Sequence, residues 1–161
     1  MEQLVLDPPA PALRLVVSRE LPGRDQRYRQ STELGAEARR VHRRVLEWAM
    51  AQAIGQVRLD PDALRVVLAV RQSRHVGPAT RFTTSDVWQL MMVDIVAWCR
   101  SRRLEVPQGC AAAILLTMQA LHDLGELHPD SDDITELELA LDECTGGWID
   151  LEPTAPAPRR W

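Results

Sequence analysis

Apolar residues recur at intervals of three and four along five segments of the chain, which is the spacing of a helix that buries one face. The first segment runs from Glu33 to Ile54, with Ser31 or Thr32 as its cap and Gly55 as its stop. The buried stripe of this helix is predicted to contain Leu34, Ala38, Val41, Val45, Trp48 and Ala49.

The second segment carries a strong start signal. Asp60 is a favoured cap, and Pro61 stands at the first helical position, where a missing backbone N–H costs least. Gly77 and Pro78 mark the region where this helix ends. Its core residues are predicted to be Leu64, Val67 and Leu68, with Val70 or Arg71 following at the same spacing.

The third and fourth segments are apolar on almost every side. The third begins at Thr83 and Asp86, which have the spacing of a capping box, and extends to about Arg103. The fourth opens at Pro107 and ends at Gly125. A helix that is hydrophobic all round is expected to be buried on most faces, so both should lie deep in the fold.

Two such helices need more apolar cover than three short neighbours supply. Pairing of two copies through the third helix or its neighbours would provide it, and twofold dimers are the commonest oligomers. The competing interpretation is a monomer in which Leu13, Leu15 and Val17 of the N-terminal arm cover the remaining face. Leu13 to Val17 is also the only good strand candidate in the sequence.

The fifth segment has a narrow stripe of Ile134, Leu137, Leu141 and Cys144 and is closed by Gly146 and Gly147. The pattern therefore predicts an all-α protein, a single-domain bundle of about five helices with proline-rich extended termini. We expect residues 1–30 to form an extended N-terminal arm, 31–150 the helical domain and 151–161 a proline-rich C-terminal tail.

The cysteine content and the absence of long apolar runs indicate the cellular compartment. The three cysteines are widely spaced in apolar stretches, which favours reduced thiols over a disulfide framework. No signal peptide pattern opens the chain, and no apolar run approaches the length of a membrane span. We therefore predict a cytoplasmic protein that does not contact membranes.

Charge is divided unevenly along the chain. All 19 basic residues are arginines, and residues 1–103 hold 17 of them against 11 acidic residues, a net charge of +6. Residues 104–161 hold 2 arginines against 12 acidic residues, a net charge of −10. Guanidinium groups suit phosphates and carboxylates, but acids at helical spacing can also neutralise them on a solvated face. The candidates for phosphate or partner contact are Arg39, Arg40, Arg43, Arg44, Arg71, Arg74 and Arg81.

Motifs for catalysis are missing from the sequence. His122, Asp123, Glu126 and His128 form the only local set of metal ligands, and their spacing matches no zinc signature, so we predict no metal site and no cofactor. Glycine-rich phosphate loops and the GxSxG motif do not occur. Cys110, near the start of the fourth helix, is the one cysteine whose pKa a helix N-terminus could lower.

The tryptophans complete the set of candidate functional residues. Trp48, Trp88 and Trp98 fall on apolar stripes and are predicted to be core, whereas Trp148 and Trp161 are candidate anchors for a partner. The alternative for Trp148 is that it folds back and caps the bundle. The sequence thus predicts a non-catalytic helical interaction or regulatory protein that self-associates. Two alternatives stay open: an arginine-based binder of nucleic-acid backbones without sequence specificity, and an enzyme or small-ligand binder with a pocket in the helical core.

Overall fold

A computed structural model describes residues 32–52 and 59–146 of the chain. All regular structure within these two ranges is helical, so the predicted all-α fold is confirmed there. The predicted strand at Leu13 to Val17, the proline-rich termini and both candidate anchors, Trp148 and Trp161, lie outside the described residues.

Five helices make up the two described ranges of the chain. Helix α1 spans Ala36–Ala51, α2 spans Pro61–Arg74, α4 spans Cys110–Asp123 and α5 spans Ile134–Thr145. Helix α3 is continuous but consists of three consecutive parts: α-helical Thr84–Gln89, π-helical Leu90–Asp94 and α-helical Ile95–Ser101.

Local capping chemistry explains where most helices begin. The Asp60 carboxylate accepts a hydrogen bond from the Asp62 N–H at the start of α2, with Pro61 in the first turn. Asp133 caps α5 in the same way through the Thr135 N–H. These caps satisfy backbone donors that have no partner within the helix.

Two starts differ from the sequence prediction. Helix α1 is capped by Gly35, because the Gln72 side chain of α2 accepts the Gly35 N–H and holds the preceding residues extended. Helix α4 begins three residues after Pro107, since Gly109 has a positive φ of 86° that interrupts the helix before Cys110. A tertiary contact and a left-handed residue are therefore the reasons for the two shifts.

Helix α2 is the centre of the bundle. It packs against α1, α3 and α4, and α4 packs in turn against α1, α2 and α5. The predicted core of α2 is confirmed in full, and further residues of the helix are also buried. The buried residues of this helix are Ala63, Leu64, Val66, Val67, Leu68, Ala69, Val70 and Arg71.

Backbone hydrogen bonds between two loops place α3 beside α5. The His128 N–H donates to the Thr80 carbonyl at 3.0 Å, and the Asp132 N–H donates to the Phe82 carbonyl at 3.0 Å. The Asp132 carboxylate also accepts the Thr84 N–H at 2.7 Å. The first turn of α3 is thus fixed next to the loop that leads into α5.

The cap of α2 provides a test of this description. We expect Asp60→Ala to lower the free energy of unfolding by about 1 kcal/mol, because the substitution removes an acceptor for a helix N-terminal N–H. Asp60→Asn keeps a capping oxygen and should retain most of the stability. Urea denaturation monitored by circular dichroism measures both variants, and equal losses would contradict the capping role.

Candidate interaction surface on helix α3

The inner side of α3 carries two carboxylates that contact α2. His75, which directly follows α2, lies between them, with its Nε2 2.9 Å from Asp94 Oδ2 and its Nδ1 3.4 Å from Asp86 Oδ1. Arg71 places its guanidinium 3.7 Å from the other Asp86 oxygen. We call Arg71, His75, Asp86 and Asp94 the ionic cluster, and it joins α2 to the inner side of α3.

The ionic cluster is largely enclosed by protein, although the Asp86 side chain keeps 22% of its surface exposed. Arg71 is only 3% exposed, Asp94 is also buried, and the Arg71 guanidinium stacks over the Phe82 ring at 4.6 Å. Burial lowers the pKa of Arg71, an effect that the nearby Asp86 carboxylate opposes. The guanidinium is therefore held by an ion pair and a ring contact, and none of its nitrogens makes a hydrogen bond within the described part of the chain.

Asp86 both caps α3 and pairs with Arg71 and His75. It completes the capping box of α3, accepting the Thr83 N–H at 3.0 Å while the Thr83 hydroxyl accepts the Asp86 N–H at 3.1 Å. Burial alone would raise the pKa of Asp86, but the Thr83 N–H, the Arg71 charge and the hydrogen bonds from Thr83 and His75 outweigh it and lower that pKa. The charged form of Asp86 is thus stabilised in the folded protein.

The π-helical part of α3 brings both carboxylates to the same side. In a regular α-helix, residues eight apart are rotated by about 80° around the axis. One wider turn accommodates an extra residue and reduces that angle between Asp86 and Asp94 to about 20°. Pairing of both groups with α2 therefore depends on the π turn, a feature that occurs often at functional sites.

The outer side of α3 is apolar and exposed. Its four large apolar side chains have exposed fractions between 39% and 54%. The π turn also brings Trp88 and Val96, again eight residues apart, almost into line along the helix. We define the α3 face as Trp88, Met92, Val93 and Val96.

A groove continues the α3 face toward α5. It has a volume of about 670 Å³ and runs between the first turns of α3 and the exposed side of α5. Trp88 and the exposed Leu139 line its apolar part. Carboxylates and hydroxyls complete the lining, contributed by Thr84, Ser85, Asp132, Glu136 and Glu143.

The expectation that α3 is buried on most faces is therefore wrong for one side of the helix. Trp88, predicted to be core, is 42% exposed, whereas Trp98 is buried and Trp48 is partly buried. The physical reason is that α2 takes up the carboxylate side of α3, and no other described residues cover the opposite side. Exposed apolar patches of this kind mark interaction sites in soluble proteins.

The candidate arginines differ in exposure and in the contacts that they make. Arg40 and Arg44 pair with Glu126 at 3.5 and 3.3 Å, and Arg71 is buried in the ionic cluster. Arg39, Arg43 and Arg74 are exposed, and Arg81 is partly buried, with its guanidinium donating to the Val76 carbonyl at 3.1 Å. Internal contacts thus already engage several of these guanidinium groups.

Cys110 and the local set of His, Asp and Glu residues are the remaining places where reactive chemistry could occur. Burial raises the pKa of Cys110 to about 12, and its thiol donates to the Pro107 carbonyl at 3.3 Å, so the start of the helix does not give this thiol a lowered pKa. No group of three or more His, Cys, Asp or Glu side chains converges on a metal position in residues 32–52 and 59–146. None of the helices in these ranges has the length and apolarity needed to span a bilayer.

Comparisons of the chain with protein-family models, curated proteins and solved structures found no match in any of the three. The assignment of a function accordingly depends on the geometry of the described residues.

Breaking the ionic cluster should destabilise the fold. We expect Asp94→Ala to lower the free energy of unfolding by about 3 kcal/mol, because it removes the buried partner that His75 contacts at 2.9 Å. Asp94→Asn retains a hydrogen-bonding oxygen and should lose less. Urea titration of both variants measures the difference, and an Asp94→Ala protein as stable as the parent would refute this role.

The lowered pKa of Asp86 predicts a pH dependence. An acid whose pKa is lower in the folded state contributes stability that is complete above its unfolded pKa, about 4, and that disappears as pH falls through the folded value. We therefore expect unfolding free energy to decline below about pH 5. Asp86→Asn removes the titrating group and should flatten this slope, and Asp130→Asn, at an exposed aspartate, should not. Parallel slopes for Asp86→Asn and the parent protein would contradict the assignment.

Proposed function

We propose that this chain is a non-catalytic helical interaction protein that self-associates through the α3 face. The observation that carries the proposal is the orientation of α3, which turns two carboxylates inward and four large apolar side chains outward. Burying the apolar face against a second copy would remove it from water, and that transfer is the main driving force of most protein association.

The ionic cluster makes this orientation a fixed property of the fold. Rotation of α3 to bury the α3 face would expose the apolar residues that now pack inward and would separate Asp86 and Asp94 from Arg71 and His75. Unpaired buried charges cost several kcal/mol, so the observed orientation is strongly preferred. The face is therefore rigid before any partner binds, which reduces the entropy lost on association.

Cysteine chemistry supports a cytoplasmic location as part of the proposal. Cys99 and Cys110 are buried and free, and burial raises the pKa of both thiols. Thiols in this state resist oxidation and are typical of proteins from reducing compartments.

The test is a comparison of masses. The parent chain should sediment at twice its 18.2 kDa mass at micromolar concentrations. Met92→Glu and Val96→Glu each place a charge in the centre of the α3 face and should raise the Kd of the dimer on the order of 100-fold.

The matched control is Val76→Glu, because Val76 is 89% exposed and lies outside the α3 face. It should sediment like the parent protein, and all variants should retain the helical circular dichroism spectrum. A parent chain that stays monomeric at about 100 μM would refute the proposal, since the Kd of any dimer would then lie far above that concentration. Dissociation by Val76→Glu as well as Met92→Glu would show that the α3 face is not the interface.

A further inference from the structure

Opposite charges stand at the two ends of the α3 face. At the Trp88 end, Glu136 and Glu143 are exposed on α5 and line the groove. At the other end, Arg100 is exposed in the last turn of α3. None of these three side chains forms an ion pair within the described ranges, so each is available to a partner.

The apolar stripe and the basic end lie on one line. Arg100 follows Trp88 by twelve residues, and with the extra residue of the π turn the two positions differ by only about 20° around the helix. They are roughly 18 Å apart along the axis. Along this line the surface is therefore acidic beside Trp88, apolar in the middle and basic at Arg100.

Such a surface is complementary to itself only when two copies run in opposite directions. In a parallel pair, the glutamates of both copies would meet at one end and the two arginines at the other, and like charges at an interface cost free energy. In an antiparallel pair, each basic end faces an acidic end. A twofold axis at the level of Asp94, midway between Trp88 and Arg100, also sets Met92 opposite Val96 of the second copy.

We propose that two copies pair antiparallel about this axis, with Arg100 of each copy against Glu136 and Glu143 of the other. The inference rests on the proposed self-association and specifies its geometry. The guanidinium of Arg100 also arrives beside the exposed Trp88 ring, where a cation is attracted to the aromatic face. Each contact occurs twice in the dimer, as an isologous interface requires.

Charge reversal tests this geometry. Arg100→Glu should raise the Kd of the dimer about tenfold, because it replaces attraction to the glutamates by repulsion, and Glu143→Arg should have a similar effect. The chain that carries both substitutions should have a Kd clearly below that of either single variant, since one of the two pairs is restored with its signs exchanged while Glu136 stays acidic. Sedimentation equilibrium gives the three Kd values.

Salt gives an independent readout. Added salt screens exposed charges, so it should weaken the parent dimer but strengthen the Arg100→Glu dimer, in which the screened interaction is repulsive. Asp142→Arg is the matched control: Asp142 is the exposed neighbour of Glu143 on α5 but does not line the groove, and its reversal should change neither affinity nor salt response.

The double substitution distinguishes two explanations for a raised Kd, namely a lost contact between copies and a weakened α3 helix. Arg100 is also a cation in the last turn of a helix, so Arg100→Glu alone weakens α3. A helix-end effect would persist after Glu143→Arg is added, whereas a lost contact between copies would be repaired. If neither Arg100→Glu nor Glu143→Arg changes the Kd of the dimer, the antiparallel geometry is wrong, whereas the proposed self-association still stands. A monomeric parent chain would overturn both.

Discussion

Two carboxylates on one side of a largely apolar helix determine how this bundle is arranged. Asp86 and Asp94 can be buried only where cations or hydrogen-bond donors meet them, because an unpaired buried charge costs several kcal/mol. Arg71 and His75 at the end of α2 provide those partners. The orientation of α3 is thus set by its few charges, and its many apolar residues are distributed around that constraint.

The position of α2 follows from the same contacts. Because α3 must lie against the end of α2 that carries Arg71 and His75, α2 is covered by α3 on one side and by α1 and α4 on the others. This explains why α2 is buried nearly all round. The loop contacts between Thr80, Phe82, His128 and Asp132 then bring α5 alongside the start of α3, and residues of both helices line the groove.

Local chemistry made much of this fold predictable from the sequence. Caps such as Asp60 and the Thr83–Asp86 box involve residues no more than three positions apart, so the sequence pattern alone predicts them. The α1 stripe and the Gly146 stop follow from helical periodicity and the left-handed conformation in the same way. These features depend on residues close in sequence, and the structure confirms them.

Helical periodicity and local capping do not predict the exposed α3 face. Periodicity identifies the buried side of an amphipathic helix, but a helix with apolar residues on every side offers no contrast, so the pattern alone assigns Trp88 to the core. The informative signal was the minority of polar positions: Asp94 stands within an apolar run, and Arg71 and His75 follow helix spacing on the preceding segment. The π turn, which brings Asp94 onto the side of Asp86, has no comparable signature, because it depends on the packing of α3 against α2.

An inward ionic cluster and an outward apolar face also have a consequence for stability. A single copy bears the desolvation of four charged or polar groups and leaves Trp88, Met92, Val93 and Val96 in contact with water. The proposed pairing recovers the hydrophobic free energy of those side chains only when a second copy is bound, and binding to the folded form alone adds to its stability by mass action. Under the proposed self-association, folding and association would be coupled, and the measured stability of the protein would increase with its concentration. The charges that orient α3 would in this way make the stability of each copy depend on the other.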